Sequence, residues 1–363
     1  MPAPSTSSPS QQPLRRAQFG ERLQLARKMA GLPYQGLADR LNGLVTKQAL
    51  HKYEQGSMMP DSEKLVALSH ALNVTVNFFF RAEPVKLEGL EFRKQASLPV
   101  KERDAIVSTI TDSMGRYLEV ERLMGAEKRF SNPIGKEEVT EPEQADALAD
   151  EVRRKWKLGV DAIPSVYETL EQNAIKVIEC HGSVKFDGLH TRVLGHMVIV
   201  VNDEKDVVRK RFTAAHELGH ALLNIPEDLD PKVKERICHR FAGSFLFPRE
   251  QFMDRVGPKR ARFMLDELVE WKQSWGISIM AMIMRSHDLG IISPAVMKRM
   301  FINYNTAGYR ANEPGEYKVA ERTVRFEQLV MHGLAQDILT LGQAADFLNI
   351  RMGDFRKKYS AVV

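Results

Sequence analysis

His216, Glu217 and His220 stand in the run His-Glu-Leu-Gly-His. Residues four apart share one face of a helix, so both imidazoles can reach a single ion. Neutral imidazole suits zinc, and two histidines on one turn leave room for a third protein ligand and a water. Glu217 lies beside that face, where a carboxylate can hold the water and accept its proton. Gly219 keeps the helix surface low near the ion. The competing reading is a pair of core histidines with satisfied hydrogen bonds. The helix-compatible flanks, Phe212-Thr-Ala-Ala and Ala221-Leu-Leu, favour the ligand reading, with one Zn2+ per chain. A third ligand should come from a following helix. Glu235 and His239 are four apart on one face of an expected helix over 231–247, and spacing alone does not choose between them. Cys238 is one residue off that face and reads as a small buried side chain.

A second chemistry is suggested by charge. Of 363 residues, 52 are Lys or Arg and 47 are Asp or Glu, a formal net charge of +5. Residues 1–82 hold ten of the basic side chains against five acidic ones, the whole excess of the protein. A basic unit on a neutral body points to a polyanion-binding head, with chance clustering as the alternative.

The elements that must position these groups follow from pattern. The length exceeds one hydrophobic core, so two or three domains are expected. An apolar fraction of 43% and a charged fraction of 27% exclude global disorder, collagen and a coiled-coil rod. No apolar run reaches 18 residues, so no transmembrane helix is expected. The amino terminus lacks the apolar stretch of a secretory signal, and two cysteines cannot build a disulfide framework. A cytoplasmic protein is expected. Residues 1–16 read as a disordered tail and 17–82 as a compact all-helical unit. In that unit Thr46 is the expected N-cap of a third helix carrying Leu50 and Tyr53. Residues 83–141 read as a helical connector and linker. Ile106, Ile110, Met114, Tyr117 and Met124 recur there near a helical period, as a dimer seam or as a face packed on its own domain. From 142 to 255 the pattern is mixed, with helices at 142–156, 163–173, 207–224 and 231–247 and short strands at 175–178 and 197–201. Residues 256–363 read as helical. No internal repeat of fixed period is present. Residues 341–356 loosely match a second helix-turn-helix, a pattern more often met as ordinary packing.

Two stretches carry a family likeness. Residues 211–223 (RFTAAHELGHALL), followed by 235–248 (ERICHRFAGSFLFP), resemble the ImmA/IrrE metallopeptidases. So do 186–189, 198–202 and 275–290, in the same order, and the likeness covers roughly 150–315. It implies an α+β zincin-like domain with Glu235 as the third zinc ligand. The family usually has Asn where this chain has His239, which keeps His239 in view as an alternative ligand. Residues 17–80 resemble the XRE (Cro/cI-type) helix-turn-helix domain, on Thr46 to Gly56, Pro60 and 65–74, with a slightly longer turn at 42–45. In such domains the third helix enters the major groove. By position Thr46, Lys47, Gln48 and His51 would face base edges of an operator, with Lys52 nearer phosphate.

The expected molecule is thus multidomain: an all-α helix-turn-helix head, a zincin-like metallopeptidase body and a helical C-terminal extension. The resemblance implies a DNA-binding transcriptional regulator, homodimeric on paired sites. Its peptidase would cleave a repressor or the chain itself under stress. The alternative is a non-proteolytic antitoxin or autorepressor that uses the zincin fold as sensor or docking surface for a toxin. No oxyanion stabiliser stands out; Tyr304, His190 and His196 are the candidates.

Overall fold

Phe19, Leu23 and Ala26, spaced for one helix face, are buried along α1 (Gln11–Met29). The computed structural model describes residues 11–81 and 98–359. Residues 1–10 of the expected tail lie outside the described residues, but 11–16 belong to α1. Pro13 does not prevent this, because the amide it lacks would have no partner in a first helical turn. Then come α2 (Tyr34–Arg40), α3 (Lys47–Glu54), α4 (Ser62–Ala71) and a 3-10 turn over Val76–Phe80. Thr46 caps α3, its hydroxyl accepting from the Ala49 amide at 3.2 Å, and Asp61 caps α4 in the same way. Gly20 lets α1 and α3 meet: a Cβ there would lie 2.4 Å from the Glu54 carbonyl oxygen.

The expected connector opens with 83–97, which like residue 82 of the head lie outside the described residues, and continues with α5 (Val100–Leu123). Ile106, Ile110, Met114 and Tyr117 are buried within a single chain. That stripe is therefore not a dimer seam. It packs within its own unit, where α5 lies against α1.

The chain divides into two compact units, one of Met1–Glu127 with Val324–Val363 and one of Lys128–Thr323. The second unit opens with irregular chain, then α6 (Gln144–Lys155) and α7 (Val166–Gln172). Three strands follow: β1 (Lys176–Cys180), β2 (Gly188–Val193) and β3 (His196–Asn202). They form a sheet of order β1-β3-β2, with β1 parallel to β3 and β2 antiparallel to it. Every residue of β3 is buried, as befits a central strand covered on both faces. Then come α8 (Val207–Leu222) and α9 (Pro231–Leu246), the most closely packed helix pair, and α10 (Arg249–Val256). The unit ends with α11 (Leu265–Trp275), α12 (Ile279–Asp288) and α13 (Pro294–Thr306). Its core runs from Ile134 to Tyr304 and includes Phe241, Phe245 and Phe247.

The expected C-terminal region 256–363 is thus divided between the units. Its last part, α14 (Arg325–Ala335), α15 (Leu341–Phe347) and α16 (Met352–Lys358), belongs with the first. There Tyr117 and Val120 of α5 share a core with Leu329, Val330, Ala344, Ala345 and Phe355. The architecture is an all-helical region, an α+β region with a small mixed sheet, and a helical C-terminal region. No described helix is long and apolar enough to cross a membrane.

Candidate metal centre and nucleic-acid interface

In the second unit, α8 is capped by Asp206, whose side chain accepts from the Arg209 amide, and α9 by Asp230 with Pro231 behind it. The two helices approach across Gly219. A Cβ there would stand 3.1 Å from the Phe241 ring, so this glycine serves helix packing rather than clearance at the ion. The close approach brings α9 over the one-turn pair of imidazoles on α8. His216 Nε2 and His220 Nε2 are 3.1 Å apart. Glu235 reaches from α9, its carboxylate 3.2 Å from His216 Nε2 and 3.5 Å from His220 Nε2. These three residues each offer a donor atom, all within 4.8 Å of one another.

The arrangement fits zinc. Four tetrahedral bonds of about 2.0–2.1 Å place neighbouring ligand atoms roughly 3.3 Å apart, close to the spacings found here. His239 packs its ring 4.4 Å from that of His216 and 5.9 Å from that of Phe212. Burial, with His216 beside it, pushes the His239 imidazole down to about 4, so it is neutral at physiological pH. His181, Asp203 and Glu204 form another cluster of potential ligands, but all three are exposed and read as a surface ion pair.

Glu217 follows His216 and is buried. Its Oε2 accepts from His190 Nδ1 at 2.8 Å. Burial pushes the Glu217 carboxyl up. The His190 hydrogen bond and the surrounding imidazoles outweigh burial and hold it below the usual carboxylate range. His190 comes from β2, and its ring also stacks on His220 at 5.6 Å. Two features set β2 in place. Gly188 slips beneath α8, where a Cβ would meet Thr213 and the Val200 carbonyl oxygen, both at 2.6 Å. Asn202, fully buried at the end of β3, donates to the carbonyls of Gly182, Ser183 and Phe186 and so fixes the loop leading into β2.

Cys238 Sγ lies 3.0 Å from His220 Nδ1, where a ligand imidazole usually meets a carboxylate or carbonyl. Sequence reasoning missed this contact and that of His190 with Glu217. Neither carries a sequence signal, because each partner comes from a different element. Of the other oxyanion candidates, the Tyr304 hydroxyl donates to Glu313 at 2.7 Å, and His196 is buried at the start of β3.

In the first unit, Thr46, Lys47, Gln48, His51 and Lys52 are all exposed, while Leu50 and Tyr53 are buried. Thr46 is also the helix cap, so its hydroxyl already has a role in α3. The His51 and Tyr34 rings are 5.7 Å apart. Glu54, at the end of α3, accepts a two-pronged bond from Arg27 of α1 and a bond from the Tyr34 hydroxyl of α2. One carboxylate thus fixes the three helices relative to one another.

Residues 171–287 match the family described as IrrE N-terminal-like domain, a peptidase family (M78), and residues 23–79 match the helix-turn-helix family. An uncharacterized HTH-type transcriptional regulator of Sinorhizobium medicae is 37% identical over 65 residues, 18% of this chain and 45% of that protein. The regulator YqaE of Bacillus subtilis, likewise uncharacterized and HTH-type, is 35% identical over 65 residues, 18% of this chain and 54% of that protein. A third such regulator, the SPbeta prophage-derived YonR of Bacillus subtilis, is 40% identical over 63 residues, 17% of this chain and 56% of that protein. The chain spans about half the length of the curated relatives it matches.

Proposed function

We propose that this chain is a cytoplasmic DNA-binding transcriptional regulator whose second unit is a zinc-dependent endopeptidase. The observation that carries the peptidase reading is the convergence of His216, His220 and Glu235 beside Glu217, a buried carboxylate oriented by His190. Zinc held by those three groups would polarise a peptide carbonyl and acidify water. Glu217, kept ionised by its neighbours, takes a proton from the attacking water and returns it to the departing amine. His190 fixes the carboxylate through one oxygen, so that proton transfer needs no side-chain search. The substrate is a protein, either a separate repressor or this chain itself, cut in response to stress. Operator contact is made by α3, with Lys47, Gln48 and His51 at base edges and Lys52 at phosphate, on paired sites that two copies occupy.

One observation favours a second reading, in which the zincin fold is a sensor or toxin-docking surface of a non-proteolytic antitoxin or autorepressor. His190 gives its Nδ1 proton to Glu217 and Tyr304 its hydroxyl proton to Glu313, so each of these two candidate oxyanion donors already has a carboxylate partner. Glu217→Gln separates the readings. On the peptidase reading it retains zinc by elemental analysis, abolishes cleavage of the repressor or of the chain, and blocks derepression in a reporter assay. Unchanged cleavage and gene control in the variant would sink the peptidase mechanism.

A further inference from the structure

The first unit repeats near its end a local pattern found in its helix-turn-helix region. Leu37-Ala-Asp-Arg-Leu-Asn42 ends α2, and Ala344-Ala-Asp-Phe-Leu-Asn349 ends α15. The backbones match as the sequences do. Both helices have seven residues, each is C-capped by Leu (Leu41, Leu348), and each cap is followed by a left-handed Asn, Asn42 at φ 51° and Asn349 at φ 54°. Each turn leads to a short helix with a buried apolar residue as its fourth, Leu50 in α3, where Tyr53 is buried as well, and Phe355 in α16. The α15–α16 turn is two residues shorter. It is held to the segment that follows α4 by hydrogen bonds: Asn349 accepts from the Thr75 amide and donates to the Asn73 carbonyl, and Asn77 donates to Asp346 at 2.6 Å. Arg81 also bonds the Asp346 carbonyl, and Arg116 of α5 that of Phe347.

The exposed side of α16 is basic. Arg351, Arg356 and Lys357 are exposed, with Asp354 the one exposed acid among them. No large apolar side chain is exposed on α16, so a protein partner would find little there to bury. A positive, polar helix face suits backbone phosphates, which bind point charges without needing an apolar anchor.

We propose that α15–α16 is a second helix-turn-helix and that α16 holds duplex DNA by its phosphates, through Arg356 and Lys357, while α3 reads bases. The proposal rests on the DNA-binding reading of α3. The test uses the full-length protein and a pooled random-sequence duplex, with affinity followed by fluorescence anisotropy over a range of salt. R356Q/K357Q should weaken binding and flatten the log-affinity against log-salt slope by about two, roughly 0.9 for each phosphate left unneutralised. R356K/K357R should keep the wild-type slope. In wild-type protein the duplex should also protect Lys357 from acetylation, a readout that needs no variant. Should K47A/Q48A weaken binding while R356Q/K357Q binds as wild type and Lys357 stays reactive, α16 is off the DNA and the proposal is overturned. Absence of salt-dependent binding by the wild-type chain would remove the α3 reading and this proposal together.

Discussion

Glu235 and His239 are one turn apart on α9, yet their surroundings differ sharply. The carboxylate faces two imidazole nitrogens within 3.5 Å, whereas the His239 ring lies against Phe212 and the His216 ring. We therefore expect Glu235→Ala to be purified with well under one zinc per chain and His239→Ala to stay close to one, by elemental analysis. The reverse order would move the third ligand to His239. The convergence of the two imidazoles on α8 was legible because a helix turns every 3.6 residues, so positions four apart coincide without any tertiary information. Spacing did not choose between Glu235 and His239, which share a face; the family likeness favoured Glu235, and the packing of α9 on α8 sets its carboxylate beside both imidazoles. The contacts of His190 with Glu217 and of Cys238 with His220 were beyond reach for a related reason. Each touches its partner from another element, and a lone His on a strand or a lone Cys on a helix has no period to reveal it.

Among elements, the junction of α1, the 3-10 turn and α5 turns on Asp112. Its carboxylate is 1% exposed and meets three guanidiniums: Arg116 at 2.8 Å, Arg22 at 3.3 Å and Arg81 at 3.6 Å. Burial pushes the Arg81 guanidinium down to about 10, against the pull of Asp112. Asp112→Asn would remove the one carboxylate that all three guanidiniums share. Removing one partner of a buried ion pair costs about 3–5 kcal/mol, which should appear as a lower urea midpoint and a weaker helical signal. A midpoint at the wild-type value would mean that solvent reaches the cluster. Some helix ends could be read locally, as the cap Thr46 shows. The use of the α5 stripe could not. A periodic apolar face states that something covers it, and Leu329, Val330 and Phe355, more than 200 residues further on, turn out to share that core.

At the scale of the molecule, the second unit is held together by an ion pair that spans 110 residues of sequence. Arg211 of α8 and Glu321 are both fully buried and bonded to each other. Glu321 also accepts from the amides of Val166 and Tyr167 and from the Ser165 hydroxyl, closing the start of α7. Arg211 also donates to the carbonyls of Gly276 and Ile163. Glu321→Gln should therefore speed amide hydrogen exchange at Val166 and Tyr167 well before the unit unfolds; unchanged exchange there would show the cap to be dispensable. No sequence pattern marks Glu321, which lies in irregular chain. The change from an all-helical to a mixed region, by contrast, showed in the pattern, whereas the joining of 324–363 to the first unit did not. The contribution of both chain ends to the first unit bears on how the protein is made. Tyr117 and Val120 leave the ribosome long before α14–α16, and the whole of 128–323 must be translated in between. Throughout that interval the Tyr117–Val120 end of α5 carries an uncovered apolar face. The nascent chain is then most exposed to chaperones and proteases, and a stalled or prematurely terminated message would yield a head that never closes.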